Sequence, residues 1–129
     1  MPRHSNAKSV ESVESKVSAA LSQSWSLETS YDPAGWSEHN SAWGQCAVSA
    51  LIVQDVMGGE LLVGKINGVE HYWNELPDGR QLDLTRHQFG KIATLEGTSH
   101  ANREHVLSFP DTRSRYERLR GRVVARLDD

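Results

Sequence analysis

Three residues in the middle of the chain have the types that build a cysteine-nucleophile site: Cys46, His71 and Asp83. Cys46 is the single thiol among 129 residues. It ends the stretch WGQC and is followed by AVSALIVQDVMGG, an apolar run with helical spacing. A Cys in the first turn of a helix meets the positive end of the helix dipole and unpaired backbone N–H groups, both of which favour thiolate over thiol. An imidazole can hold or take the proton, and a carboxylate can fix the tautomer of that imidazole. Such a trio performs acyl transfer: the sulfur attacks an amide or ester carbonyl, and the acyl group then passes from a thioester to water or an amine.

Whether the trio can meet depends on a turn. LPDGR suits a three-residue loop in which Pro77 and Asp78 form a type I turn and Gly79 takes the left-handed position of a bulge. That register pairs Leu76 with Arg80, Trp73 with Asp83 and His71 with Thr85, so His71, Trp73, Asp83 and Thr85 share a face. Asp83 then sits diagonally beside His71, about 7 Å away between backbones, a gap two side chains can close. A two-residue loop would pair Asp83 with Asn74 and send His71 to the opposite face. Each residue also has a plainer reading: a lone Cys as a small hydrophobe, a strand His satisfied by a neighbour, an Asp opening a turn. Their conjunction favours the triad. Donors for an oxyanion would be the Cys46 N–H and a side-chain amide, either Gln45 or Asn40, between which the sequence does not choose.

The elements that must position these residues follow from periodicity. Ala7 to about Ser24 carries Val10, Val13, Val17, Ala20 and Leu21 on one stripe, which predicts an amphipathic helix after a disordered stretch 1–6. SWSLETSYDPAGWSEHNSAW reads as a long ordered loop. Its Trp25, Tyr31 and Trp36 are expected first to plug the core, although Trp36 and Trp43, with Trp73 on the strand, are also the candidates for substrate binding. A helix from Gly44–Cys46 to Met57 follows, stopped by Gly58-Gly59. ELLVGKI, VEHYWNEL and RQLDLT, separated by NG and PDG, predict a three-stranded antiparallel meander. EGTSHANRE reads as a polar loop and HVLSF as a short apolar piece. DTRSRYERLRGRVVARL predicts a second amphipathic helix, with Tyr116, Leu119, Val123, Val124 and Leu127 on one face. The order is α+β in a single domain, 1–129.

Composition narrows the function. With 37% hydrophobic and 24% charged residues the chain is an ordinary globular sequence with one core. A formal charge of −3 gives no general reason to bind nucleic acid or a membrane. Arg113, Arg115, Arg118, Arg120, Arg122 and Arg126 are expected to flank the last apolar stripe as a solvated face. One Cys excludes an intramolecular disulfide and argues against a thiolate zinc site. Cys46, His71 and Asp83 with His39 or His87 lack a local metal-ligand motif, so neither metal nor cofactor is expected. The start lacks the apolar core of a secretory signal and no stretch approaches a membrane span, which predicts a cytoplasmic protein. The amphipathic helix at each end offers a surface for a homodimer.

WGQCAVSALIVQDVMGGELL, HYWNELPDGRQLDLTRHQF and RYERLRGRV, in that order, resemble the YunG family of small bacterial proteins, and the resemblance covers the chain from about Trp25 onward. More broadly, a Cys opening a helix, then a strand His, then an Asp on the next strand is similar to the papain-like superfamily, including transglutaminase-like proteins. There a His-x-Trp followed by an Asp-x-Thr is a familiar pattern, which HYW and DLT match. This resemblance implies a papain-like core: a central helix on a small antiparallel meander, flanked by the two terminal helices, with Cys46 as nucleophile, His71 as base and Asp83 as orienting acid. The short chain leaves little room for a second lobe, which favours a small-molecule or peptide acyl substrate. The expected function is a Cys-dependent amide or ester hydrolase or acyltransferase. The alternative is a non-enzymatic module binding a peptide or small ligand through its aromatic loop.

Overall fold

The computed structural model describes residues 5–90 and 94–128. Most of the stretch expected to be disordered, residues 1–4, lies outside these; helix α1 (Ser5–Ser24) takes in Ser5 and Asn6. Its stripe buries Val17, Ala20 and Leu21, while Val13 stays exposed. Helix α2 (Cys46–Met57) begins at the thiol and ends where Gly58 caps it. It buries Val48, Ala50, Leu51, Ile52 and Val53, which point round most of its circumference. A helix this apolar must be covered on several sides, and α2 packs against α1, the sheet and helix α4 (Pro110–Leu127).

Strands β1 (Glu60–Ile66), β2 (Val69–Glu75), β3 (Gln81–Leu82) and β4 (Leu95–Ala101) form an antiparallel sheet in the order β3-β2-β1-β4. Asn67 and Gly68, both at positive φ, close the two-residue hairpin between β1 and β2. In the next hairpin the Gly79 N–H donates to Leu76 O at 2.9 Å and the Leu76 N–H donates to Arg80 O at 2.7 Å. Gly79 sits at φ 91°, a conformation that a Cβ would strain. Asn74 pairs with Leu82 and Glu75 with Gln81, the register that the turn residues imply. Opposed residues of an antiparallel pair share a face. Leu61, Tyr72 and Leu82 pack with the α2 core, and Asn74 Nδ2 donates to Ala50 O at 2.9 Å. Leu62, Ile66, His71 and Trp73 leave the opposite face and are buried there.

Three expectations need correction. The polar loop EGTSHANRE is largely strand β4, paired with β1 through a register shift between Val63 and Lys65. Its residues are mostly exposed, so an edge strand without apolar alternation left no periodic signal. The apolar piece after it belongs mainly to a short helix, α3 (Arg103–Leu107), capped by the Asn102 side chain, which accepts from the His105 N–H. Strand β3 is only two residues long; the chain leaves the sheet at Asp83, and among the described residues β2 from Val69 to Trp73 has no strand on that side. Among the described residues no helix is long and apolar enough to cross a membrane.

The C-terminal arginines are also more than a solvated face. Arg115 is buried and donates to Thr29 O and Asp111. Arg122 donates to Ser24 O and Ser26 Oγ, and Arg126 to Ser24 Oγ. These bonds fasten α4 to the end of α1 and to the loop that leads into Cys46. Within that loop Trp25 does plug the core, its Nε1 donating to Ser49 Oγ at 2.9 Å. Tyr31 does not: it is 71% exposed, lying against the Arg115 guanidinium.

Two glycines separate strain from freedom. Gly59 has φ 86°, and an added Cβ would collide with the Glu75 carbonyl oxygen. Gly59→Ala should lower the unfolding free energy by roughly 2 kcal/mol or more. Gly121, in α4, has nothing near its absent Cβ, so Gly121→Ala should raise it by roughly 0.5–1 kcal/mol. Urea titrations should move the two midpoints in opposite directions.

Candidate active site

His71 comes from the middle of β2 and has no exposed surface. Its Nε2 lies 2.7 Å from Asp83 Oδ2. Asp83 stands just past β3, where the other carboxylate oxygen accepts the Thr85 N–H at 3.3 Å, which fixes its orientation. The guanidinium of Arg86 is 3.9 Å away, at the solvent side. The imidazole is held as a plane as well as by its edge: Trp73 stacks on it with ring centroids 5.7 Å apart, and Phe89 meets it edge-on at 5.2 Å. The second ring nitrogen, Nδ1, is buried and has no hydrogen-bond partner among the described residues.

Cys46 is half-buried and free, and it lies close enough to the ring to act on its charge. It also acts on Tyr72, the neighbour of His71 whose side chain leaves the other face of the sheet. The thiol residue shares a small cavity with Tyr72, Trp73 and Asn74 of β2 and with Leu84 and Thr85 beyond the end of β3. Burial works against a charged His71, but the bond to Asp83, the neighbouring Cys46 and their charges outweigh it, and the His71 pKa is pushed up to about 9. The ring is used in the opposite sense to a serine-protease triad, where Nδ1 faces the carboxylate and Nε2 the nucleophile.

The other expected site residues divide. The Gln45 side chain has no exposure; its Nε2 donates to Ser26 O at 3.0 Å and its Oε1 accepts from Thr29 Oγ1 at 2.8 Å. Both ends of the amide are thus engaged in the interior, where they anchor the loop to the head of α2. Asn40 Nδ2 donates to Gln88 O at 3.1 Å and stitches the loop to the chain after β3. Trp43 and Trp36 are half-buried, with their Nε1 groups on Asp32 and on Ser41 O. Trp73 is buried at 3% exposure and bonded to Gln81. It stacks on His71 and also lines the small cavity at Cys46.

Three residues of the site were not singled out by sequence. Phe89 bridges Trp43 and His71. Gln88 is buried, accepts the Gly44 N–H at 2.9 Å through Oε1 and donates to Thr85 O at 3.0 Å. It ties the residues before Cys46 to the segment that carries Asp83. Tyr72 lines, with Cys46, Ser49, Asn74 and Thr85, a cavity of about 10 Å³, room for about one water. Cys46 is therefore open to larger groups only from its exposed side. No local pattern marks Gln88 or Phe89, because Gly44, Trp43 and His71, the partners that tie them to the site, lie far away in the sequence. At the head of α2 the N–H groups of Cys46 and Ala47 have no acceptor among the described residues, since Gln45 supplies no side-chain cap. Among the same residues no group of three or more His, Cys, Asp or Glu could hold a metal ion.

The model of the YunG protein family matches residues 13–128. The chain belongs to the YunG family. The uncharacterized protein YunG of Bacillus subtilis (strain 168) is 36% identical over 73 residues, which is 57% of this chain and 60% of that relative. The match thus spans less than two thirds of the relative's length. No solved structure matches the chain. In this YunG-family chain the aligned His71 and Asp83 rest on the PDG turn, and the thiol beside them rests on the start of α2.

The buried pair should leave a thermodynamic signature. His71 has a folded pKa of about 9, above its ordinary 6.5. Its contribution to stability is then complete below about pH 6.5 and lost as pH rises through about 9, roughly 1–3 kcal/mol in all. Asp83→Asn removes the cause. Unfolding free energies measured by urea at pH 6 and pH 9.5 should fall more steeply for the unaltered protein than for the variant; parallel profiles would contradict the pairing.

Proposed function

We propose that this protein is a cysteine-dependent acyl-transfer enzyme with a papain-like arrangement, in which Cys46 is the nucleophile, His71 the proton carrier and Asp83 the group that orients it. One observation supports the reading above the others. A histidine kept for structure satisfies both ring nitrogens, since an unmet buried donor or acceptor costs about 1–3 kcal/mol. In His71 one nitrogen is held by Asp83, and the other is buried, has no hydrogen-bond partner among the described residues and lies beside a half-exposed thiol. A proton on Nδ1 would face Cys46, where it stabilises a thiolate before attack and supplies the leaving group afterwards.

The reaction begins as the sulfur adds to an amide or ester carbonyl at the exposed side of Cys46. His71 then gives its proton to the departing amine or alcohol, and a thioester remains. Neutral His71 next takes a proton from water or from an acceptor amine as that molecule attacks the thioester, and Cys46 is released. Asp83 keeps its own charge throughout and holds the ring in position. The cavity described at the thiol holds about one water, which suits a small-molecule or peptide acyl group laid across the exposed side of Cys46.

Intact-mass measurement after incubation with p-nitrophenyl acetate should find an acetyl adduct on Cys46, absent from Cys46→Ala. His71→Ala should slow its formation by about 10²–10⁴-fold. With an amide donor, where the leaving group must be protonated, the rate should hold up to about pH 9 and fall above it as His71 loses its proton. Asp83→Asn should move that limb to lower pH, because burial then acts on the imidazole with less opposition. If ester, thioester and amide donors all fail to give a Cys46-dependent adduct, the acyl-transfer reading is wrong and a binding module is left.

A further inference from the structure

The oxyanion produced by attack on a carbonyl needs donors, and the two amides nearest in sequence are engaged elsewhere. Gln45 is bonded to Ser26 and Thr29, and Asn40 to Gln88. We infer that the Tyr72 hydroxyl is the side-chain donor to this oxyanion, acting with the N–H groups at the head of α2 that have no acceptor among the described residues; the inference rests on the acyl-transfer reading above.

The placement supports it. Tyr72 shares the wall of the small cavity at Cys46 with Ser49, Asn74 and Thr85. Its ring is half-buried and packs against the apolar core, so the phenol is carried on a rigid strand rather than on a loop. Among the described residues its hydroxyl has one hydrogen bond, to Glu70 Oε1 at 3.5 Å, the outer limit for such a bond. An incoming oxyanion would replace that weak acceptor at little cost. Burial and the negative charges of Glu70 and Cys46 push the Tyr72 pKa up to about 12, so the phenol stays a donor throughout the range in which His71 is charged.

The step balances without proton loss from tyrosine. The Cys46 sulfur forms a bond to the carbonyl carbon, and the π pair of the carbonyl moves onto its oxygen. The Tyr72 O–H donates a hydrogen bond to that oxygen and keeps its proton. The pair returns to re-form the carbonyl as the leaving group departs with the proton of His71. Tyr72 therefore contributes only while the tetrahedral species exists, which is where a donor raises the rate.

Two reactions of the same thiol separate this role from a structural one. Acetylation by p-nitrophenyl acetate passes through an oxyanion, whereas alkylation by iodoacetamide is a displacement at carbon and forms none. Tyr72→Phe should slow Cys46 acetylation by about 100-fold and leave iodoacetamide alkylation within about twofold of the unaltered protein. Equal acetylation rates in the two proteins, with acetylation still dependent on Cys46, would overturn the assignment of Tyr72 and leave the enzyme reading standing. A parallel fall in both reactions would overturn it too, because a disturbed thiol then explains the loss. Absence of Cys46-dependent acetylation in the unaltered protein would overturn both readings together.

Discussion

An imidazole with no exposed surface cannot remain a cation unless a carboxylate meets it, and here that carboxylate is Asp83, 2.7 Å from His71 Nε2. Most of the site's geometry answers to this contact. It requires the β2–β3 register to carry Asp83 to the same face as His71, and it requires β3 to end at once so that the carboxylate can turn inward. The Thr85 N–H then holds the second carboxylate oxygen. Trp73 and Phe89 fix the plane of the ring, so its remaining nitrogen has a defined direction.

The thiol is brought to this ring by contacts of a different kind. Gln45 precedes Cys46 and is locked by Ser26 and Thr29, which sets where α2 starts. Gln88 reaches from the segment after Asp83 to the Gly44 N–H. The segments that carry Cys46 and Asp83 are thereby joined by a short polar bridge as well as through the sheet. Such a bridge is costly to leave half-made in the interior, so the two halves of the site are positioned together.

The terminal helix has a share in this arrangement. Arg115, Arg122 and Arg126 look from their spacing like a charged outer face, yet they donate to backbone and side-chain oxygens at the end of α1 and in the loop before Cys46. Guanidinium groups bind several oxygens at fixed angles and keep their charge when partly buried. A long loop without regular structure is thus held firmly enough to deliver Gln45 and Trp43 to their places. At the far end of α2, Asp55 accepts from Arg103 and Tyr116 and clasps α3 and α4 to the same helix.

Turn and cap chemistry acts over four or five residues, and for that reason it can be read directly from the chain. PDG specifies its bulged hairpin, and with it the common face of His71 and Asp83; the apolar run after WGQC specifies a helix that starts within Gly44–Cys46 and runs to about Met57, stopped by Gly58-Gly59. The class, α+β, follows from the order of such segments. Strand β4 could not be read, because an exposed edge strand has no apolar alternation and exists only through its pairing with β1. The direction of the Gln45 amide, the reach of Gln88 to Gly44 and the place of Tyr72 beside Cys46 were equally hidden. Each depends on partners 16 to 44 residues away, or on which side of a strand the helix lies, and folding alone brings those groups into contact.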